Sequence, residues 1–220
     1  MYLNMKSLQD FIKYLRTLGI SNNVIEAFKV IKREWFVPEE YKNFAYNDEV
    51  IPIKEGVTIS QPSVLATMID ALEIKPGLKI LEIGTGSGFS TAILSYLVGP
   101  NGRVISVEMD EDAYSFAKER LNYLINKKII PNNIKLILGD GSLGYSQEAP
   151  YDRVISHASC TRVPNPWIWQ LKDNGVIVAP IGPVWDQKLA KIKKVSGKLE
   201  KEILMDVLFV PLRGKFGDIE

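Results

Sequence analysis

Five short apolar runs between Lys79 and Ile181, with helical patterns between them, limit this fold more than any other feature. The runs fall at 79–84 (KILEIG), 103–108 (RVISVE), 134–138 (IKLIL), 152–157 (DRVISH) and 175–181 (GVIVAPI), and the helical patterns near 88–98, 111–127 and 164–172. Strand, helix, strand repeated in this way is the signature of a parallel sheet covered on both faces. The expected class is therefore α/β with a mostly parallel, Rossmann-like sheet. Lys188–Val195 and Ile203–Leu212 read as two further strands joined around Ser196-Gly197, so the sheet is expected to finish in an antiparallel hairpin.

The N-terminal third is different. Leu8, Phe11, Ile12, Leu15 and Leu18 recur at helical spacing and Gly19 follows as a stop signal. A second helix is predicted after Ser21, whose hydroxyl can cap it, running through Val24, Ile25 and Phe28 toward Pro38, which ends or bends it. From Tyr41 to Ser60 the pattern is irregular, with turns at Pro52 and Gly56, and a third helix opens at Pro62 and runs to about Leu72. Residues 1–75 thus read as a helical cap and substrate-side segment on an α/β core of residues 76–220, the two forming one compact unit.

Composition removes several functions. With 27 basic and 26 acidic residues the net charge is +1, which argues against a nucleic-acid partner. No run of signal-peptide or membrane-spanning length is present, so a cytoplasmic protein without a membrane partner is expected. One cysteine, Cys160, and one histidine, His157, argue against a disulfide framework and a zinc site. Lys188, Lys191, Lys193, Lys194, Lys198 and Lys201 read as a solvated hairpin that resists edge pairing. Trp167 and Trp169, two apart, cannot share a helix face, so one belongs to the core and the other to the surface.

The strongest chemical signal is Leu81-Glu82-Ile83-Gly84-Thr85-Gly86-Ser87-Gly88, a strand entering a glycine-rich turn that opens a helix. Glycines let a ligand approach the backbone, and the helix N-terminus offers N–H groups to it. Glu108, twenty residues after Gly88 at the end of the next strand, is placed to accept the hydroxyls of a ribose. The glycines stand at positions one, three and five, not one, three and six, which favours S-adenosylmethionine over a nicotinamide dinucleotide. Asp140, with Gly141 after the third strand, can accept an adenine amino group or form a plain turn. Thr58, Ile59 and Ser60 precede the helix at Pro62, whose free N–H groups suit a carboxylate; the alternative is that Ser60 or Gln61 caps that helix.

Taken in order, Arg33-Glu34-Trp35-Phe36-Val37-Pro38, Tyr46-Asn47-Asp48, Thr58-Ile59-Ser60-Gln61-Pro62, Leu81 to Gly88, Gly139-Asp140-Gly141, Ala149-Pro150-Tyr151-Asp152, Pro180-Ile181-Gly182 and Phe209-Val210-Pro211-Leu212 resemble the protein-L-isoaspartate O-methyltransferase family over residues 21–212. The resemblance implies an S-adenosylmethionine-dependent methyltransferase fold and methyl transfer to the free carboxylate of L-isoaspartyl residues in damaged proteins and peptides. Carried over by position, Ser60 matches the active-site serine. Gly84, Thr85, Gly86, Ser87 and Gly88 match the cofactor loop, Glu108 the ribose acid, and Asp140 with Gly141 the adenine contact. Thr58, Ile59, Val210, Pro211 and Leu212 fall on the substrate side, and no metal is implied. The rivals are a methyltransferase of the same fold acting on RNA and a catalytically silent cofactor-binding homologue.

A carboxyl group with a pKa near 4 is already the nucleophilic anion at neutral pH, so no general base is required. The chain departs from the family at His157-Ala158-Ser159-Cys160-Thr161-Arg162, at Ser63 and at Arg213, all near the inferred substrate mouth. His157 ends a predicted strand on the ligand side and is a candidate substrate contact, whereas Cys160 reads as a packed residue.

Overall fold

The computed structural model describes residues 7–54 and 57–217. Two helices open the chain, α1 (Leu8–Thr17), capped by the Ser7 hydroxyl accepting from Asp10 N–H at 3.2 Å, and α2 (Asn22–Val30). The expected cap on α2 is not formed. The Ser21 hydroxyl turns instead to the side chains of Asn23 and Asp70. The helix also stops at Val30, short of Pro38; Ile31 and Lys32 are extended, and a separate 3-10 turn covers Arg33–Trp35.

A second 3-10 helix, Glu39–Phe44, follows Pro38. The segment predicted as irregular then forms an antiparallel pair, β1 (Ile51–Lys54) and β2 (Val57–Ile59), with Pro52 opposite Thr58. Pro52 therefore lies within a strand and not in a turn, which an isolated two-stranded ribbon tolerates because proline loses only one ladder donor. Gly56, the other predicted turn residue, lies outside the described residues. The helix α3 (Pro62–Ala71) starts at Pro62 as predicted.

The core alternates β3 (Lys79–Ile83), α4 (Phe89–Val98), β4 (Arg103–Glu108), α5 (Glu111–Asn126), β5 (Ile134–Leu138), β6 (Tyr151–Ser156), α6 (Asn165–Gln170) and β7 (Leu171–Ile181). It ends in β8 (Gln187–Val195) and β9 (Lys198–Val207). Strand order is β5-β4-β3-β6-β7-β8-β9, with β3 to β7 parallel and β8 and β9 antiparallel. The second hairpin strand thus begins at Lys198, not Ile203, and Phe209–Leu212 lies beyond it. Ser196 and Gly197 (φ 49° and 77°) form a two-residue turn whose positive φ values match the twist of paired strands.

Successive residues of the central strands serve opposite faces. Ile80, Val104, Ile155, Val176 and Val178 join α1 to α5 in one cluster, which also holds the aromatic contacts Phe11–Phe28, Phe28–Phe89 and Phe36–Phe89. Leu81, Ile83, Ile105, Val107, Val154 and Ile177 face the other way onto Trp167 of α6. Trp167 is buried and Trp169 exposed, the division expected from their spacing. In the hairpin Lys188 pairs with Asp186 and Asp206, and Lys194 donates to the carbonyls of Ile168 and Leu171. No helix of the described residues is long and apolar enough to cross a membrane.

Candidate active site

The parallel strands deliver their C-terminal ends to one edge of the sheet, and the chemistry-bearing residues gather there. Gly84, Gly86 and Gly88 take φ values of +86°, +53° and +85°, which side-chain-bearing residues adopt only at a cost of roughly 1–2 kcal/mol each. Space restricts Gly88 further. A Cβ there would lie 3.2–3.3 Å from Ala117 and Leu121 of α5, so this glycine sets how closely helix packs on loop. Ser87 Oγ accepts from Phe89 N–H at 3.2 Å, and Thr85 Oγ1 lies 2.6 Å from Ser106 Oγ; both side chains are buried and support the turn from beneath.

Glu108 is buried at the end of β4. Its Oε2 accepts from Gly86 N–H at 2.9 Å, and its Oε1 from the N–H groups of Met109 (2.8 Å) and Asp110 (2.9 Å). A carboxylate offers about four acceptor positions, so roughly one remains for a ligand. A ribose diol here would compete with the Gly86 N–H. Asp140 Oδ1 accepts from Ser142 N–H and its Oδ2 from Lys215 N–H, both at 2.8 Å, which lays the C-terminal segment against this carboxylate. Gly141 faces Ile83 so closely that a Cβ would stand 2.7 Å from its side chain, fixing the Asp140 turn beside the first glycine.

The strand β2 brings the Thr58–Ser60 segment to the loop. A Cβ on Gly86 would lie 3.7 Å from the Thr58 carbonyl, so the glycine loop and the Thr58–Ser60 strand end are neighbours. Ile59 is buried, Thr58 exposed and Ser60 between the two. Neither Ser60 nor Gln61 caps α3, and its N-terminus is not open to a ligand carboxylate as expected: Asp48 occupies it. Asp48 Oδ1 accepts from Ser63 N–H at 2.9 Å, while Oδ2 takes the Ser63 hydroxyl (2.7 Å) and the Gln61 amide (2.9 Å). An anion bonded to N–H groups of the first turn is the stable arrangement for a helix start.

Arg33 holds the same segment from behind. Its guanidinium is buried and donates to the carbonyls of Ala45 (2.8 Å), Glu49 (3.0 Å) and Ser60 (3.0 Å). Burial lowers its pKa to about 9, against the opposing pull of Asp48, Glu49 and Tyr46. The Ser60 hydroxyl itself has no hydrogen-bond partner among the described residues, and it stands two positions after the Thr58 carbonyl that neighbours the glycine loop.

Val210, Pro211 and Leu212 run alongside the loop that follows β6. Ser159 N–H donates to Val210 O (2.8 Å), Leu212 N–H donates to Ser159 O (2.7 Å), and Gln187 ties the preceding Phe209 through both amide atoms. Among the described residues no hydrogen bond joins them to Thr58–Ser60. Cys160 is buried, and its thiol lies 3.9 Å from Pro180 O. Arg33 and Asp48 were visible in sequence only inside wider matching segments; nothing local marks a residue that acts across 15 or 27 positions.

A family model described as Protein-L-isoaspartate(D-aspartate) O-methyltransferase (PCMT) matches residues 6–217. The chain belongs to this family. Protein-L-isoaspartate O-methyltransferase of Thermosipho melanesiensis is 41% identical over 200 residues, covering 91% of this chain and 98% of the relative. The Methanothrix thermoacetophila enzyme of the same name is 41% identical over 198 residues, covering 90% and 91%. Among solved structures, a protein-L-isoaspartate O-methyltransferase superposes with TM-score 0.87 at 29% identity, over 96% of this chain and 67% of that one. A Plasmodium falciparum structure described as PCMT, in complex with S-adenosyl-L-homocysteine, gives TM-score 0.81 at 26% identity over 95% and 99%. The fold of this chain is thus shared with a related structure solved in complex with S-adenosyl-L-homocysteine.

Proposed function

We propose that this chain carries out its family's reaction, methyl transfer from S-adenosylmethionine to the free carboxylate of L-isoaspartyl residues in damaged proteins, with Ser60 steering the acceptor. The observation that carries this reading is the uncommitted Ser60 hydroxyl, anchored through its carbonyl by Arg33 and set beside the glycine loop. The left-handed glycines and the buried Glu108 fit the donor, because they leave backbone and one acceptor position free where side chains would block approach. When bound, the donor supplies an electrophilic methyl group on a sulfonium.

In this reading Gly84, Thr85, Gly86, Ser87 and Gly88 shape the donor loop, Glu108 accepts from the ribose, and Asp140 with Gly141 borders the adenine. Thr58, Ile59 and Ser60 on one side and Val210, Pro211 and Leu212 on the other receive the peptide, and residues 1–75 act as an acceptor-side cap on the core 76–220. The acceptor arrives ionised, so the chain needs no base. Its task is to hold the carboxylate oxygen in line with the methyl carbon at about 3–3.5 Å and to exclude water. Ser60 donates to that oxygen and is itself neither alkylated nor acylated. The resulting ester then closes to a succinimide as the following backbone nitrogen displaces methanol, and addition of water reopens the ring in part as aspartate.

Incubation with methyl-labelled S-adenosylmethionine and matched isoaspartyl and aspartyl peptides tests the proposal. Base-labile label on the isoaspartyl peptide alone is expected. Label on RNA, or donor binding without any transfer, would refute it.

A further inference from the structure

A buried carboxylate that the reaction above does not use lies directly under the glycine loop. Glu82 is fully buried between α4 and β4, and its Oε2 accepts from the hydroxyls of Thr91 on α4 (2.5 Å) and Ser106 on β4 (2.7 Å). Its Oε1 lies 3.2 Å from His157 Nε2, and the same ring nitrogen lies 3.0 Å from Ser90 Oγ in the first turn of α4. Among the described residues no lysine or arginine contacts Glu82, and its partners are two hydroxyls and one imidazole. His157 is also fixed by its backbone, whose N–H donates to Ile83 O at 2.9 Å, and its Cβ would be 3.4 Å from a Cβ on Gly84. The imidazole therefore borders the first glycine of the donor loop.

A carboxylate only accepts, so Glu82 Oε1 is satisfied by the tautomer that carries the imidazole proton on Nε2. In the neutral ring Nδ1 is then an acceptor, and among the described residues it has no partner. An acceptor backed by a buried negative charge selects a cationic donor of hydrogen bonds. We propose that His157 Nδ1 accepts a hydrogen bond from the α-ammonium group of the sulfonium donor, with Glu82 as the positioning residue that orients the ring. The proposal rests on the donor assignment above and adds to it a contact for the amino-acid end. It also gives a task to the histidine that distinguishes this chain after β6.

Calorimetry with three probes tests it: S-adenosylhomocysteine, its deaminated analogue, and methylthioadenosine, which lacks the amino-acid arm. His157→Ala should weaken S-adenosylhomocysteine about tenfold, the loss of one charge-assisted hydrogen bond, and leave the other two within twofold. Equal weakening of all three, or no change for S-adenosylhomocysteine, would overturn the proposal. If the unaltered protein binds none of the probes, the donor assignment falls and this contact with it. Because the chain has a single histidine, ¹⁵N NMR reads the same contact without a substitution. The Nδ1 resonance should move on adding S-adenosylhomocysteine and stay in place with the deaminated analogue; no movement with either contradicts the contact.

Discussion

The glycine loop and the Thr58–Ser60 segment beside it are built by different means. The glycine loop, the proposed donor side, is made of backbone: three glycines in left-handed conformations, with a strand-end carboxylate pinning one of their N–H groups. The Thr58–Ser60 segment, the proposed acceptor side, is held by side chains that reach in from elsewhere, Arg33 to the Ser60 carbonyl and Asp48 to the first turn of α3. Backbone geometry is written in consecutive residues and resists change, whereas a side-chain scaffold can be removed by one substitution far from the reacting atoms. Damage on either side should therefore separate donor binding from turnover.

Arg33→Ala should show the largest effect. It removes a buried cation and strands three carbonyls, at a cost of about 3–5 kcal/mol of unfolding free energy, read by chemical denaturation. At temperatures where the variant stays folded, turnover should fall much further than affinity for S-adenosylhomocysteine. Gly88→Val attacks the other side, combining left-handed strain with overpacking against Ala117 and Leu121 for about 2–5 kcal/mol. Here donor affinity should be lost along with turnover, and retention of donor affinity would break the distinction drawn above.

Asp48→Ala should cost about 1–2 kcal/mol, the usual value of a lost helix cap, and raise the KM for an isoaspartyl peptide with little change in donor affinity. The smallest effect is expected away from both sides. Glu148 is held below the ordinary carboxylate range chiefly by its hydrogen bond to Lys135, with Arg103 adding to it. A depressed folded-state pKa gives stability that is present above the unfolded value and lost as pH falls through the folded one. Glu148→Gln should therefore lower the neutral plateau of the thermal stability profile slightly, meet the unaltered protein at acid pH so that the acid limb is flatter, and leave the activity unchanged.

Legibility followed the same division. Continuous apolar runs, helical spacing and the glycine triplet located β3 to β6, α4, α5 and the donor loop, because those elements depend on neighbouring residues. The start of β9 was misplaced because Lys198, Glu200, Lys201 and Glu202 hide an edge strand whose exposed residues carry no apolar alternation. The β1–β2 pair was missed because Pro52 reads as a turn residue and four- and three-residue strands are too short for a periodic signal. The α3 cap went to Asp48 and not to Ser60 or Gln61 because the tertiary fold brings up a carboxylate that local spacing does not reveal. The pairing of Glu82 with His157, 75 residues apart, was equally hidden.

Ser60→Ala measured for both binding and turnover tests the central claim most directly. A hydrogen bond to an ionised acceptor is worth roughly 1.5–3 kcal/mol, so turnover on an isoaspartyl peptide should fall about 10- to 100-fold. Calorimetric affinity for S-adenosylhomocysteine should stay within twofold. Full turnover, or a loss of donor affinity equal to the loss of turnover, would contradict the assignment of Ser60 to the acceptor.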